Sequence, residues 1–151
     1  ITSAAGWLVI SGFRRKQSGT AVPEPVIAPD AAALEELKKI KADDLIAHSR
    51  TKEYYYRISG CIRFYIERRF GIRAPESSTE EFVEEAIRSQ VLEGRHINLL
   101  KDFLSACDLV KYAGTDSDAG QADEVYRTAE NFILETRLSE IDSAETQKVK
   151  A

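Results

Sequence analysis

Residues 51–70 return apolar side chains at helical intervals, with Tyr54, Ile58, Cys61, Ile62 and Tyr65 on one stripe. A stripe that long must be covered by other elements, because a helix gains stability by burying its apolar face. Gly71 follows at the position where a left-handed residue ends a helix. The rest of the chain must therefore supply packing partners.

It supplies helices. Asp30 is expected to cap a first helix that turns Ala33, Leu34, Leu37 and Ile40 inward and runs to about residue 47. After Ala74 and Pro75, Ser78 and Glu81 stand at capping-box spacing and open a third helix with Phe82, Ala86 and Ile87 inward, fading near Gly94. A fourth carries Ile97, Leu100, Phe103, Leu104, Cys107 and Val110 on one face and breaks at Gly114. The last spans about 121–138 with Ala122, Val125, Ala129, Phe132 and Ile133 inward. No segment alternates like a strand and no internal repeat is visible. The expected fold is an all-α bundle of about five helices over residues 30–138, followed by a flexible tail, 139–151.

The N-terminal part reads differently. Residues 1–13 are uncharged and largely apolar, and Arg14, Arg15 and Lys16 follow at once. A secretory signal has the reverse order, so residues 1–16 are expected to be the inner end of a transmembrane helix with its basic exit. The chain beyond is then cytoplasmic, since Lys and Arg collect on that side. Thirteen residues reach only about 20 Å, short of a hydrocarbon core of about 30 Å. With no Met anywhere, the chain is expected to be the C-terminal piece of a longer, single-pass membrane protein. Residues 17–29 hold Pro23, Pro25 and Pro29 and should act as a semi-stiff linker.

Composition narrows the function. At 151 residues with 43% hydrophobic and 30% charged residues, one domain with a buried core is expected. A net charge of -4 argues against general affinity for nucleic acid. Cys61 and Cys107 sit within helical patterns, without a CxxC or Cys/His cluster, and read as core thiols of a reducing compartment.

Two cations break the pattern. Arg69 follows Tyr65 by four residues and Lys111 follows Cys107 by four, which aims both at apolar faces. Such charges must meet a carboxylate or snorkel outward, and Asp108 is the nearest partner in sequence. An ion pair among Arg69, Asp108 and Lys111 that fixes helix register is the expectation.

Little in the chain suggests chemistry. Asp44, His48 and Glu53 are the nearest approach to a metal-ligand group, with only one histidine among them. His96 lies beside Glu93 and Gly94 near a helix start, where a solvent-facing or capping role is expected. GxSxG, P-loop, GxGxxG and HExxH motifs are absent. Arg63, Arg68, Arg69 and Arg73 alternate with Phe64, Tyr65 and Phe70 in a way that suggests nucleic acid. The core claims most of those aromatics, and Glu76, Glu80, Glu81, Glu84 and Glu85 follow, so a solvated basic edge beside an acidic helix is the simpler reading.

The stretches KEYYYRI at 52–58, IRFYIERRFGI at 62–72, TEEF at 79–82 and CDLVKYA at 107–113 resemble the cytoplasmic domain of bacterial BatD-like membrane proteins. The likeness covers roughly residues 31–136, and the membrane exit and proline-rich spacer extend it. It implies a bacterial inner-membrane protein working with a MoxR-type AAA+ ATPase and von Willebrand factor A domain proteins, in a chaperone or assembly system linked to stress or oxygen tolerance. The domain is expected to act as an adaptor by protein contact, with no cofactor and no catalysis. The β-rich domains that larger members carry across the membrane have no counterpart here. The candidate partner-binding surface is the corner where the second helix meets the third, formed by Arg68, Arg73, Glu76 and Glu80. A nucleic-acid-binding helical domain and a metal-dependent enzyme are the alternatives.

Overall fold

The computed structural model describes residues 27–73 and 76–137. Among them are five α-helices and no strand: α1 (Pro29–Ala42), α2 (Thr51–Phe70), α3 (Thr79–Ser89), α4 (Gly94–Tyr112) and α5 (Ala119–Thr136). The expected membrane exit, most of the proline-rich linker and the tail lie outside the described residues. Within them, no helix is long and apolar enough to cross a membrane.

Helix α2 is the centre of the bundle, packing on α1, α4 and α5, while α4 also backs α3 and α5. That explains why so much of α2 is hidden: Tyr54, Tyr55, Ile58, Ile62, Tyr65 and Ile66 are all buried. Phenol hydroxyls that would otherwise be stranded find acceptors on α5. Tyr54 donates to the Ala122 carbonyl at 2.7 Å and Tyr65 to Thr136 Oγ1 at 2.9 Å. A second tie fixes α1, where Arg57 bonds both Glu36, at 3.1 Å, and Asp43.

Helix ends follow local chemistry, with several departures from the sequence reading. The first helix starts two residues early, with Pro29 in the first turn and Ala28 as cap, so Asp30 is not the cap. Its carboxylate instead sits in the first turn, where the helix dipole favours negative charge. This helix stops at Ala42, not near 47, because Asp44 and Ser49 take left-handed conformations at φ 48° and 59°. Leu45 in that turn is nevertheless buried. Gly71, at φ 72°, ends α2 as its type requires.

The capping box of Ser78 and Glu81 is formed, and a second one joins Asp118 and Gln121 at the start of α5. Helix α3 ends at Ser89, capped by Gln90 in a left-handed conformation, rather than fading near Gly94, which opens α4 instead. Ile87 points outward, 57% exposed, and Val83 takes the inward place beside Phe82. In α5, Tyr126 is buried where Val125 was expected, and Val125 packs half-buried at the core edge.

The core titrates in a definite direction. Burial pushes the thiols of Cys61 and Cys107 up to about 12 and raises the phenols of Tyr54, Tyr55 and Tyr65. In the unfolded chain a thiol ionises near about 8.5 and a phenol near about 10. Between those values and the folded ones, the unfolded state holds fewer protons, so stability falls as pH rises. Urea unfolding should give constant stability from about pH 7 to 8 and a progressive loss from about pH 8.5 to 12. Stability that holds to pH 11 would contradict this burial.

Candidate functional site

The strongest concentration of polar chemistry lies where α2, α3 and α4 meet. Arg63 of α2 is buried, and its guanidinium donates to the Ser77 carbonyl at 2.7 Å and to Thr79 Oγ1 at 3.0 Å. Thr79 passes its own proton on, donating to Asp108 Oδ2 of α4 at 2.6 Å. The other Asp108 oxygen lies 3.8 Å from Lys111 Nζ. Burial lowers the Arg63 guanidinium from its ordinary value, and the Asp108 carboxylate opposes that shift.

Lys111 is only 7% exposed although it ends a surface helix. Two tyrosines cover it: its ammonium stands 4.6 Å from the Tyr56 ring centre and 4.9 Å from that of Tyr112. The two rings meet edge to face at 6.0 Å. The expected pairing of Lys111 with Asp108 is thus present in space, with aromatic faces sharing the cation.

Arg69 is a correction. It lies six residues beyond Arg63, roughly 9 Å along the helix, and does not reach Asp108. Its guanidinium lies 4.5 Å from the Phe70 ring centre, and its buried Nε has no hydrogen-bond partner among the described residues. The arginine that enters the cluster is Arg63, which the sequence reading had placed on a solvated edge. Arg63 shares its buried face with Ser59, four residues before, and Ile66, three after, and with a serine on that face spacing alone did not mark it as inward.

The proposed corner of Arg68, Arg73, Glu76 and Glu80 is exposed at all four positions. Among the described residues no ion pair joins these arginines to these glutamates; Arg63 makes the bond from α2 to the start of α3. Arg68 turns instead toward the entry of α1, donating to the Ile27 carbonyl at 3.3 Å.

There it closes one end of a groove of about 420 Å3 between α1 and α2. Pro29, Ala32 and Ala33 form one wall and Tyr56, Gly60 and Phe64 the other. A Cβ at Gly60 would meet nothing within 4 Å, so the glycine leaves the groove open rather than permitting a close approach. Phe64 is 54% and Tyr56 43% exposed. Tyr56 belongs to both features, lying under the Lys111 ammonium and lining the groove.

The remaining candidates do not assemble a reactive site. His48 Nδ1 is satisfied by the Asp44 carbonyl at 2.8 Å, and Glu53 is held by Arg50 at 2.5 Å. Among the described residues no group of three potential ligands gathers, so Asp44, His48 and Glu53 stay apart in role. His96 is a second correction. It is buried against Phe132 and bonded to Glu135 at 3.0 Å, tying the start of α4 to the end of α5. Its spacing from Leu100 and Phe103, four and seven residues, already placed it on the inward face. Both thiols are buried and held protonated, which suits packing rather than nucleophilic attack.

Replacing Asp108 with Ala is expected to cost about 2 kcal/mol, because Thr79 loses its acceptor and Lys111 its counter-charge. Asp108→Asn should cost less, since its amide oxygen still accepts from Thr79. Urea denaturation of both variants measures this, and equal, negligible losses would show that the cluster contributes nothing to stability. No protein-family model, curated protein or solved structure matches the chain.

Proposed function

We propose that this chain is the cytoplasmic adaptor domain of a bacterial inner-membrane protein, serving a MoxR-type AAA+ ATPase and von Willebrand factor A partners by protein contact. The observation that carries the reading is the groove between α1 and α2. Large aromatic surface at Tyr56 and Phe64 stays exposed beside Arg68 while the opposite faces of the same helices fill the core. Exposed apolar surface gathered in a groove is a mark of protein association.

A second observation supports the same reading. The segments that carry the BatD-like resemblance, 52–58, 62–72, 79–82 and 107–113, supply Tyr56, Arg63, Thr79, Asp108, Lys111 and Tyr112, which meet in one place. The buried ionic cluster gives that face a fixed shape. Arg68 and Arg73 add exposed positive charge that orients an approaching partner while contributing little stability.

Affinity capture of the full-length protein from membranes tests the proposal. Phe64→Ser, and separately the double variant Arg68→Glu with Arg73→Glu, should leave helicity unchanged and sharply reduce recovery of the ATPase or von Willebrand factor A partner. Recovery by the unaltered protein should decline as salt rises. Undiminished capture by both folded variants would exclude this face, and failure of the unaltered protein to capture either partner would exclude the adaptor role.

A further inference from the structure

A second groove, sharing no residue with the first, runs between α4 and α5 and encloses about 400 Å3. Leu99, Phe103, Ala106, Leu109 and Val110 line it from α4, with Val125 opposite on α5. Those α4 positions span three helical turns, about 16 Å. Leu109, at 54%, and Ala106 are exposed, Leu99, Val110 and Val125 are half-buried, and Phe103, at 6%, closes the floor, so the trough is shallow with an apolar rim open to solvent.

The rim has one sign of charge. Asp102 stands on α4, Glu124 on α5 and Asp116 on the loop between them, and no Lys or Arg among the described residues lines the groove. None of the three carboxylates takes part in an ion pair among the described residues. Arg127, on the same helix as Glu124, is engaged by Asp123 at 2.5 Å.

We propose that this groove docks a basic amphipathic helix from a partner protein. Its apolar face would lie along Leu99, Ala106 and Leu109, and its lysines or arginines would face Asp102, Asp116 and Glu124. An open trough between two helices accepts a third through apolar residues at one-turn spacing. Carboxylates on both walls and at one end repel an acidic helix or a nucleic-acid backbone, while they attract and orient a basic helix. The apolar floor sets affinity and the rim sets selectivity, because exposed charge pairs are individually weak. This inference does not depend on the adaptor reading.

The test uses the whole chain and a fluorescein-labelled leucine–lysine amphipathic peptide of about 18 residues, long enough for a helix of about 27 Å. A leucine–glutamate peptide of the same pattern is the comparison. Fluorescence anisotropy should show binding of the lysine peptide and not of the glutamate peptide. Asp102→Lys with Glu124→Lys should weaken binding at least about tenfold, and Leu109→Ser should weaken it as well.

Glu35→Lys with Glu84→Lys changes net charge equally on other helices and should alter affinity less than about twofold. Circular dichroism confirms that each variant is folded. Equal losses in the two charge-reversed pairs would reduce the effect to net charge and overturn the proposal, as would absence of binding. Tighter peptide binding after Arg14, Arg15 and Lys16 are changed to Gln, beyond that produced by the equal charge change Lys38→Gln, Lys39→Gln and Arg88→Gln, would overturn it differently, by pointing to the chain's own basic segment as the occupant.

Discussion

Removing a guanidinium from water is costly, and the bundle can seat α3 only because Arg63 is fully employed once it is buried. The backbone of α3 is packed against α4, and its link to α2 is the Arg63 fork on the Ser77 carbonyl and Thr79 Oγ1. Thr79 then hands its proton to Asp108, so one threonine bridges a cation on α2 and a carboxylate on α4. A cluster of this kind is weak evidence for added stability, since well-packed apolar residues often do as well. What it supplies is register: a slip of α3 would strand Arg63 and Asp108 together. The arginine also lies 5.2 Å from the ring centre of Phe82, the largest buried side chain of α3, so polar and apolar anchoring share one site.

Helix number and most inward faces were legible because 3.6-residue periodicity is a local property. The stripe Tyr54, Ile58, Cys61, Ile62 and Tyr65 is buried as spacing required, and Gly71 and the Ser78 box end and start helices where their chemistry dictates. The misses arose where tertiary contact decides. A helix packed on three sides hides more than one stripe, and so the charged Arg63 is buried while Phe64, next to it, is exposed. His96 stands at inward spacing from Leu100 and Phe103, but its polar type masks that signal, and only α5 shows the Glu135 that satisfies it there. The early end of α1 was missed because Asp44 and Ser49 adopt left-handed geometry that their types allow but do not announce.

The candidate site was legible only in part. Lys111 and Asp108, three residues apart, were matched by local spacing and do approach each other. The arginine that joins them was not, since choosing between Arg63 and Arg69 depends on which part of α2 faces α3 and α4. Rigid interior and open grooves serve different ends here. The cluster fixes the relative positions of α2, α3 and α4, and the aromatic and acidic grooves lie on the surface those helices and their neighbours present. A partner meeting such a surface would bind preformed geometry and pay little ordering cost.

The central claim is that Arg63 and Asp108 act as one unit through Thr79. A double-mutant cycle with Arg63→Met and Asp108→Ala, read by urea unfolding, measures it directly. The account predicts a coupling of about 1 kcal/mol or more that disappears when the cycle is repeated with Thr79→Val. Additive losses with Thr79 in place would contradict it.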